Sequence, residues 1–278
     1  MAPSDPSGPF ADAYAPPQIA ERVRALGVSK AHAPAGRTFA LAVLAGAFIA
    51  LGAVFYTVTV TSAAEGPAMA FGLARLVGGI AFSLGLILVV IGGAELFTGN
   101  NLLAMAWAAR CVSTREVVEQ WAVVYAGNLV GALGTALLVL GAGTAEVGQG
   151  LVGETAVRIA RGKVGLGLLD AFARGILCNV LVCLAVWLCM GARSVTDKIV
   201  AVVFPISAFV ACGFEHSIAN MYFLPVGWAL TLGQPAAIDV GTIAVNLAVV
   251  TLGNIVGGTL LVALVYWFIY LRQDQSPP

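Results

Sequence analysis

A chain of 278 residues in which 60% are hydrophobic and only 10% charged, with a mean hydropathy of +0.95, is not a soluble globular domain, which would carry roughly 25% charged residues. Its 14 lysines and arginines balance 14 aspartates and glutamates, so there is no net field to hold nucleic acid. The solvent is a bilayer, and the length accommodates about six spans of ~20 to 25 residues in one all-α membrane domain.

Residues 1–36 form an N-terminal tail with six prolines and no apolar core of a cleaved signal. Residues 1–17, rich in Pro, Ala, Ser and Asp, are expected to be disordered. Gln18 to Val28 reads as a short amphipathic cytoplasmic helix, because Ile19, Val23 and Leu26 recur at helical spacing among Glu21, Arg22 and Arg24. The membrane domain, 37–272, opens with a span over Thr38 to Val60, a turn at Glu65, Gly66 and Pro67, and a second apolar run from Ala70. That run is interrupted at Gly92 to Asn101, GGAELFTGNN, before apolar residues resume at Leu102 to Ala109. A third span covers Val117 to Leu140, and a loop with Glu146, Glu154, Arg158, Arg161 and Lys163 leads to the fourth at Leu166 to Met190. The fifth runs over Ile199 to Leu230 and is interrupted by Cys212 to Met221, CGFEHSIANM; the sixth covers Ile243 to Leu271, and residues 273–278 are a short tail. With both termini cytoplasmic, the inside segments collect Arg22, Arg24, Lys30, Arg37, Arg110, Arg115, Arg193, Lys198 and Arg272. The outside then holds Arg158, Arg161 and Lys163, with Arg75 and Arg174 near outer span ends, as the positive-inside rule favours.

The two halves repeat. Glu95 and Asn100 match Glu215 and Asn220, 120 residues later, and Gly127 to Gly131, GNLVG, match Gly253 to Gly257, GNIVG, 126 residues later. Three spans repeating as three spans predict two inverted halves, with the second and fifth helices broken at matched positions that line a path between them. In a second reading the glycine-rich breaks only allow close helix packing. Glu, His, Thr and Asn placed there argue for the path, since unsatisfied polar groups in hydrocarbon each cost several kcal/mol.

His216 is one of two histidines and sits in the second break. An imidazole can donate a hydrogen bond to an anion and, when protonated, lend it a proton. Thr98 in the first break, able to donate and accept, is its natural partner across the path. Glu95 and Glu215 are expected to support the breaks, with Asn100 and Asn220, by satisfying backbone N–H groups; tuning of His216 by Glu215 is the alternative. Phe82, Leu86, Leu96, Phe97 and Phe209 can supply apolar constrictions, although each also suits plain packing. Lys163 either attracts anions or is a solvated loop lysine. Asn128, Asn179, Asn220, Asn246 and Asn254 are amides within apolar segments, some of them interhelical glue. Cys111, Cys178, Cys183, Cys189 and Cys212 show no CxxC spacing and read as reduced packing residues. No nucleotide loop, metal-ligand cluster or nucleophile elbow is present, so no cofactor, no metal and no catalytic residue is expected.

The segments FSLGLILVVIGGAELFTGN at 82–100, GNLVGALG at 127–134, FARGILCNVLVCLAVWL at 172–188, FEHSIANM at 214–221 and VTLGNIVGG at 250–258 resemble the formate/nitrite transporter family, in family order, across nearly the whole membrane portion. The resemblance implies an aquaporin-like protomer in a homopentamer of the bacterial inner membrane, each protomer with its own pore for formate, nitrite or hydrosulfide. It also implies a central pair Thr98 and His216, constrictions at Phe82, Leu86, Leu96, Phe97 and Phe209, an electropositive vestibule at Lys163 and a pore-lining amide at Asn179.

The expected function is therefore a pathway for a small weak-acid anion, formate or nitrite first and hydrosulfide as an alternative, with protons as partners through His216. A neutral-solute channel of the aquaporin type is a second possibility, against which stand the absence of paired Asn-Pro-Ala loops and the histidine in the break. An intramembrane enzyme using Glu215 and His216 is a third, without a nucleophile or metal set to support it.

Overall fold

The structure, a computed structural model, describes residues 12–61 and 69–272. Residues 1–11 of the N-terminal tail, the turn at Glu65 to Pro67 and the tail 273–278 lie outside the described residues. Among the described residues the chain is helical throughout, without strands, and six helices are long and apolar enough to cross a membrane.

Helix α1, Pro16–Ala31, starts on two prolines, whose fixed φ suits a first turn. It buries Ile19, Ala20, Val23 and Gly27 against the first break and the end of α7, Leu168–Gly191. Ahead of it, Tyr14 is pinned by its N–H to the Gly191 carbonyl (3.0 Å) and by the guanidiniums of Arg22 and Arg193, 4.1 and 3.6 Å from its ring centre. The expected amphipathic helix is thus longer than Gln18 to Val28 and packed on the domain.

Helix α2, Ala35–Val60, packs on α3, Phe71–Gly92, and on α5, Thr114–Gly141. Between α3 and α5 lie a 3-10 turn, Gly99–Leu103, and the short α4, Ala104–Ala108. Ser113 and Glu116 form a reciprocal capping box that starts α5 three residues before the apolar pattern begins. In the second half α7 packs on α10, Val240–Ile255, and α8, Val195–Cys212, packs on α3. The sixth span runs on from α10 through a wider π-helical turn, Val256–Ala263, into α11, Leu264–Tyr270. Close approach is set by small residues: a Cβ at Gly131 would strike the Val43 carbonyl of α2, and one at Gly257 the Ile176 carbonyl of α7.

One helix departs from the expectation of a loop. Residues Leu151–Val164 form α6, which buries Val152, Thr155, Ala156 and Ala160 at helical spacing against α9, Ser217–Thr231. Its four charges, Glu154, Arg158, Arg161 and Lys163, with Glu146 just before it, mask that stripe in a composition-based reading. Large apolar side chains such as Phe71, Leu137, Leu138, Leu169 and Phe204 remain exposed on the outside of the helices, as lipid contact requires. The cysteines are free; Cys178, Cys183 and Cys189 are buried, but Cys212 is exposed rather than packed.

Candidate substrate pathway

Both breaks begin on a glycine in the left-handed region, Gly93 (φ +74°) after α3 and Gly213 (φ +73°) after α8. An L side chain there would be strained, so glycine stops the helix. The interruption frees backbone groups, and they are satisfied in the same way twice. Ala94 N–H donates to the Val89 carbonyl (2.9 Å) and Phe214 N–H to the Phe209 carbonyl (3.0 Å). Glu95 N–H reaches the Leu41 carbonyl and Glu215 N–H the Arg174 carbonyl, both at 3.2 Å. Asn128 of α5 accepts from Phe97 N–H (3.0 Å) and donates to the carbonyls of Ala42 (2.8 Å) and Glu95 (2.9 Å). Asn254 of α10 accepts from Ser217 N–H (2.9 Å) and donates to the carbonyls of Gly175 (2.8 Å) and Glu215 (2.9 Å). Each amide ties a break to the helix behind it.

The two acids are held differently from the expectation. Their carboxylates accept from side chains, not from backbone N–H groups. Glu95 takes the ammonium of Lys30 (2.9 Å) and the amide of Asn100 (2.6 Å). Glu215 takes Lys163 (3.0 and 3.1 Å) and Asn220 (2.7 Å). A carboxylate in such surroundings requires a paired cation, and each is drawn from a distant helix, Lys30 from α1 and Lys163 from α6. Lys163 lines a cavity as one half of an ion pair, with its nitrogen 5.3 Å from the Phe223 ring.

Two cavities approach the breaks. The first, about 280 Å³, is lined by α1 residues through Lys30, by Leu86, Glu95 and Leu96, and by the 3-10 turn. The second, about 460 Å³, is lined by Phe82, Phe209, Phe223, His216, Lys163 and several arginines. Phe82 and Leu86 are one helical turn apart on α3 yet line different cavities, so the partition between them is about 6 Å thick at this helix. On the second side the Phe82 and Phe209 rings meet edge to face at 5.6 Å, and Phe209 stacks parallel to the His216 ring at 5.9 Å. All of these are buried, as is Thr98.

Thr98 and His216 meet inside the partition, Oγ1 to Nε2 at 2.9 Å. The ring's other nitrogen, Nδ1, accepts the Ala219 backbone N–H (3.1 Å), making His216 the N-cap of α9. A nitrogen that accepts carries no proton, so the neutral ring holds its hydrogen on Nε2 and donates it to Thr98. The Thr98 hydroxyl hydrogen then has no acceptor among the described residues. The result is a one-way chain of donors from the positive end of α9 through the ring to the threonine hydroxyl, an arrangement that favours an anion over a cation.

Two expected pathway residues stand elsewhere. Phe97 lines neither cavity; its ring sits between Trp121 and Tyr125, at 6.0 and 5.1 Å, because Asn128 fixes its backbone toward α5. Asn179 also lines neither cavity. Its Nδ2 lies 2.7 to 3.2 Å from the carbonyls of Thr98 and Asn254 and from Asn101 Oδ1, so it ties the first break to α10 from behind. Residues not singled out beforehand include Lys30, which pairs with Glu95, and Arg75, whose guanidinium donates to the Val210 and Ala211 carbonyls and to the Tyr56 hydroxyl.

Six apolar spans, two of them interrupted, with cavities converging on one buried donor pair, define a multi-pass membrane transport protein. Residues 17–268 match the profile of the formate/nitrite transporter family. The chain belongs to that family, whose members are transporters and not enzymes, and the neutral-solute and enzyme possibilities fall away. It is 42% identical to the formate channel FocA of Escherichia coli K12, over 96% of this chain and 98% of the relative. It is 40% identical to a probable formate transporter of Methanothermobacter thermautotrophicus, over 93% and 97%. Among solved structures it resembles a pentameric formate channel with formate bound (TM-score 0.76, 42% identity, 86% of this chain and 98% of that one). An ion channel of the same family gives a TM-score of 0.79 at 30% identity, over 90% and 98%.

Proposed function

We propose that this protein carries formate through a pore within each protomer of a homopentamer in the bacterial inner membrane, past Thr98 and His216. The substrate and the assembly are supported by the relatives' names and by the pentameric neighbour with formate bound. Three spans per half make the second half inverted, and both termini are cytoplasmic. The first cavity, lined by α1, then opens inward and the second outward. Phe82, Leu86, Leu96 and Phe209 form the apolar slit, Lys163 draws anions toward it, and Asn179 and the Glu–Lys–Asn clusters keep the breaks in shape. Nitrite and hydrosulfide, also small monovalent anions of weak acids, compete for the same path.

The observation that carries this reading is the Ala219–His216–Thr98 donor chain at the partition. An anion in the slit replaces water with the Thr98 O–H as donor, and the Nε2–H donated to that oxygen strengthens it. Passage helped by proton transfer asks for more. To give a proton and stay neutral the ring must first carry two, and the second, on Nδ1, displaces the Ala219 N–H. Proton-coupled passage therefore loosens the first turn of α9, whereas hydrogen-bonded passage leaves it intact.

The test is uptake by reconstituted vesicles at two pH values, with formate, nitrite and hydrosulfide in competition, for wild type and His216→Asn. Asparagine keeps an N-cap acceptor and an N–H donor but does not titrate. Faster formate uptake at the lower pH in wild type, lost in H216N with flux retained, is the expected outcome. An unchanged pH dependence in H216N removes the proton role, and wild-type vesicles that pass none of the three anions remove the whole reading.

A further inference from the structure

The two cavities differ in charge. The first has one cation, Lys30, hydrogen-bonded to the one carboxylate, Glu95. The second has four cations, Arg75, Arg158, Lys163 and Arg174, and one carboxylate, Glu215, which Lys163 already occupies. Arg75, Arg158 and Arg174 have no acidic partner among the described residues. Nor are their N–H groups used up. A guanidinium carries five; the hydrogen bonds here engage three of Arg75, one of Arg158 with Thr155 (2.9 Å) and one of Arg174 with the Gly213 carbonyl (3.3 Å). Charge steering alone needs no more than one cation at the mouth, and the remaining three make a concave donor-lined basin of about 460 Å³.

We propose that this basin is a binding site for a divalent oxyanion that fills it and cannot go further, so that such ions block transport from one side of the membrane only. Planar guanidinium forks match the oxygens of sulfate-like or phosphate-like ions, and the attraction rises with the ligand's charge. Below the basin the Phe82, Phe209 and Leu86 ring leaves the Thr98–His216 donor chain alone to replace hydration, too little for a doubly charged ion, whose desolvation cost far exceeds that of formate. The first cavity, with its charges balanced, offers no equivalent site. The blocking part rests on the transport reading above; the binding part stands without it.

The experiment has two arms. Calorimetry of sodium sulfate with the full-length protein in neutral detergent, at low ionic strength, is expected to show saturable binding that weakens about tenfold in Arg158→Gln and further in R158Q/R174Q, because charge-assisted bonds are lost. Nitrate binds at least about tenfold more weakly than sulfate. Arg158 bonds only to Thr155 on its own helix, so R158Q with an unchanged thermal midpoint separates ligand loss from misfolding. In planar phosphatidylcholine bilayers, sulfate is expected to reduce formate current from one side, and less in R158Q. Absence of saturable sulfate binding, or equal affinity in the variants, overturns the site; equal block from both sides overturns the sidedness. A wild type with no formate current but with sulfate binding sensitive to R158Q overturns the transport reading and leaves the site standing.

Discussion

The two helix breaks share a frame and differ in what they hold within it. Glu95 with Lys30 and Asn100, and Glu215 with Lys163 and Asn220, are the same cluster twice, and Asn128 and Asn254 make the same three bonds. At the tips the correspondence stops. The position of Leu96 in the first break is that of His216 in the second, and the position of Thr98 is that of Ile218. Leu96 lines one cavity and His216 the other. What is duplicated keeps a broken helix satisfied; what is unique carries the polar contact across the partition. A buried polar residue in this fold whose counterpart makes the same bond is therefore assigned to the frame.

That rule is broken most readily at the frame. Asn128→Ala and Asn254→Ala each strand two buried backbone groups, the N–H of Phe97 or Ser217 and the carbonyl of Glu95 or Glu215, at about 1 to 3 kcal/mol apiece, so each variant is expected to lose about 2 to 6 kcal/mol of stability. Thermal midpoints of the detergent-solubilised protein measure this, and a mild N128A beside a severe N254A would show that the amides are not equivalent. Glu215→Gln leaves the Lys163 ammonium without a carboxylate at a site where the acid's side chain is 5% exposed, at about 3 kcal/mol. Glu95→Gln costs less, because that acid is 13% exposed and Lys30 can turn to water at 21%. At the tips the effect moves from stability to flux. Thr98→Val removes the hydroxyl that ends the donor chain, worth about 1.5 to 3 kcal/mol toward an anion, and formate uptake is expected to fall tenfold or more, while the midpoint drops only by the cost of the one His216 N–H left without an acceptor. Thr98→Ser restores uptake. Ile218→Val, at the matching position, costs about 1 kcal/mol of packing and leaves flux alone.

Much of the frame was legible in the sequence, since a repeat of acid and amide at a fixed offset cannot come from lipid-facing packing, and Thr98 and His216 stood out as polar residues within the two breaks. What was missed lies in contacts far apart along the chain. Lys30 is 65 residues from Glu95 and Lys163 is 52 from Glu215, with no local spacing to announce either pair. Helix α6 was hidden because small residues, Ala156 and Ala160, carry its buried stripe, and small residues weigh little in a hydropathy pattern. Phe97 was read as a constriction residue from its place in the break, but a backbone bond to Asn128 turns its ring to Trp121 and Tyr125. Side-chain direction in irregular backbone follows from such bonds, and the residue order does not contain them.

The smallest expected effect tests the rule where it is weakest. Gln120 of α5 and Asn246 of α10 are 126 residues apart, the same offset as Asn128 and Asn254. Asn246 belongs to the frame: it accepts from Asn220 (2.9 Å) and donates to the Lys163 carbonyl (3.0 Å). Gln120 is 6% exposed, and neither its amide oxygen nor its nitrogen has a protein partner. Asn100, the counterpart of Asn220, is held by Lys30 and Glu95 instead. Asn246→Leu is expected to cost about 1 to 3 kcal/mol by leaving the second N–H of the Asn220 amide without an acceptor and taking a donor from the Lys163 carbonyl. Gln120→Leu, which strands nothing and removes a buried amide, is expected to leave the thermal midpoint unchanged or raise it. Equal losses in the two variants would place Gln120 in a bonded frame after all, and the two halves would then differ only at the tips of their breaks.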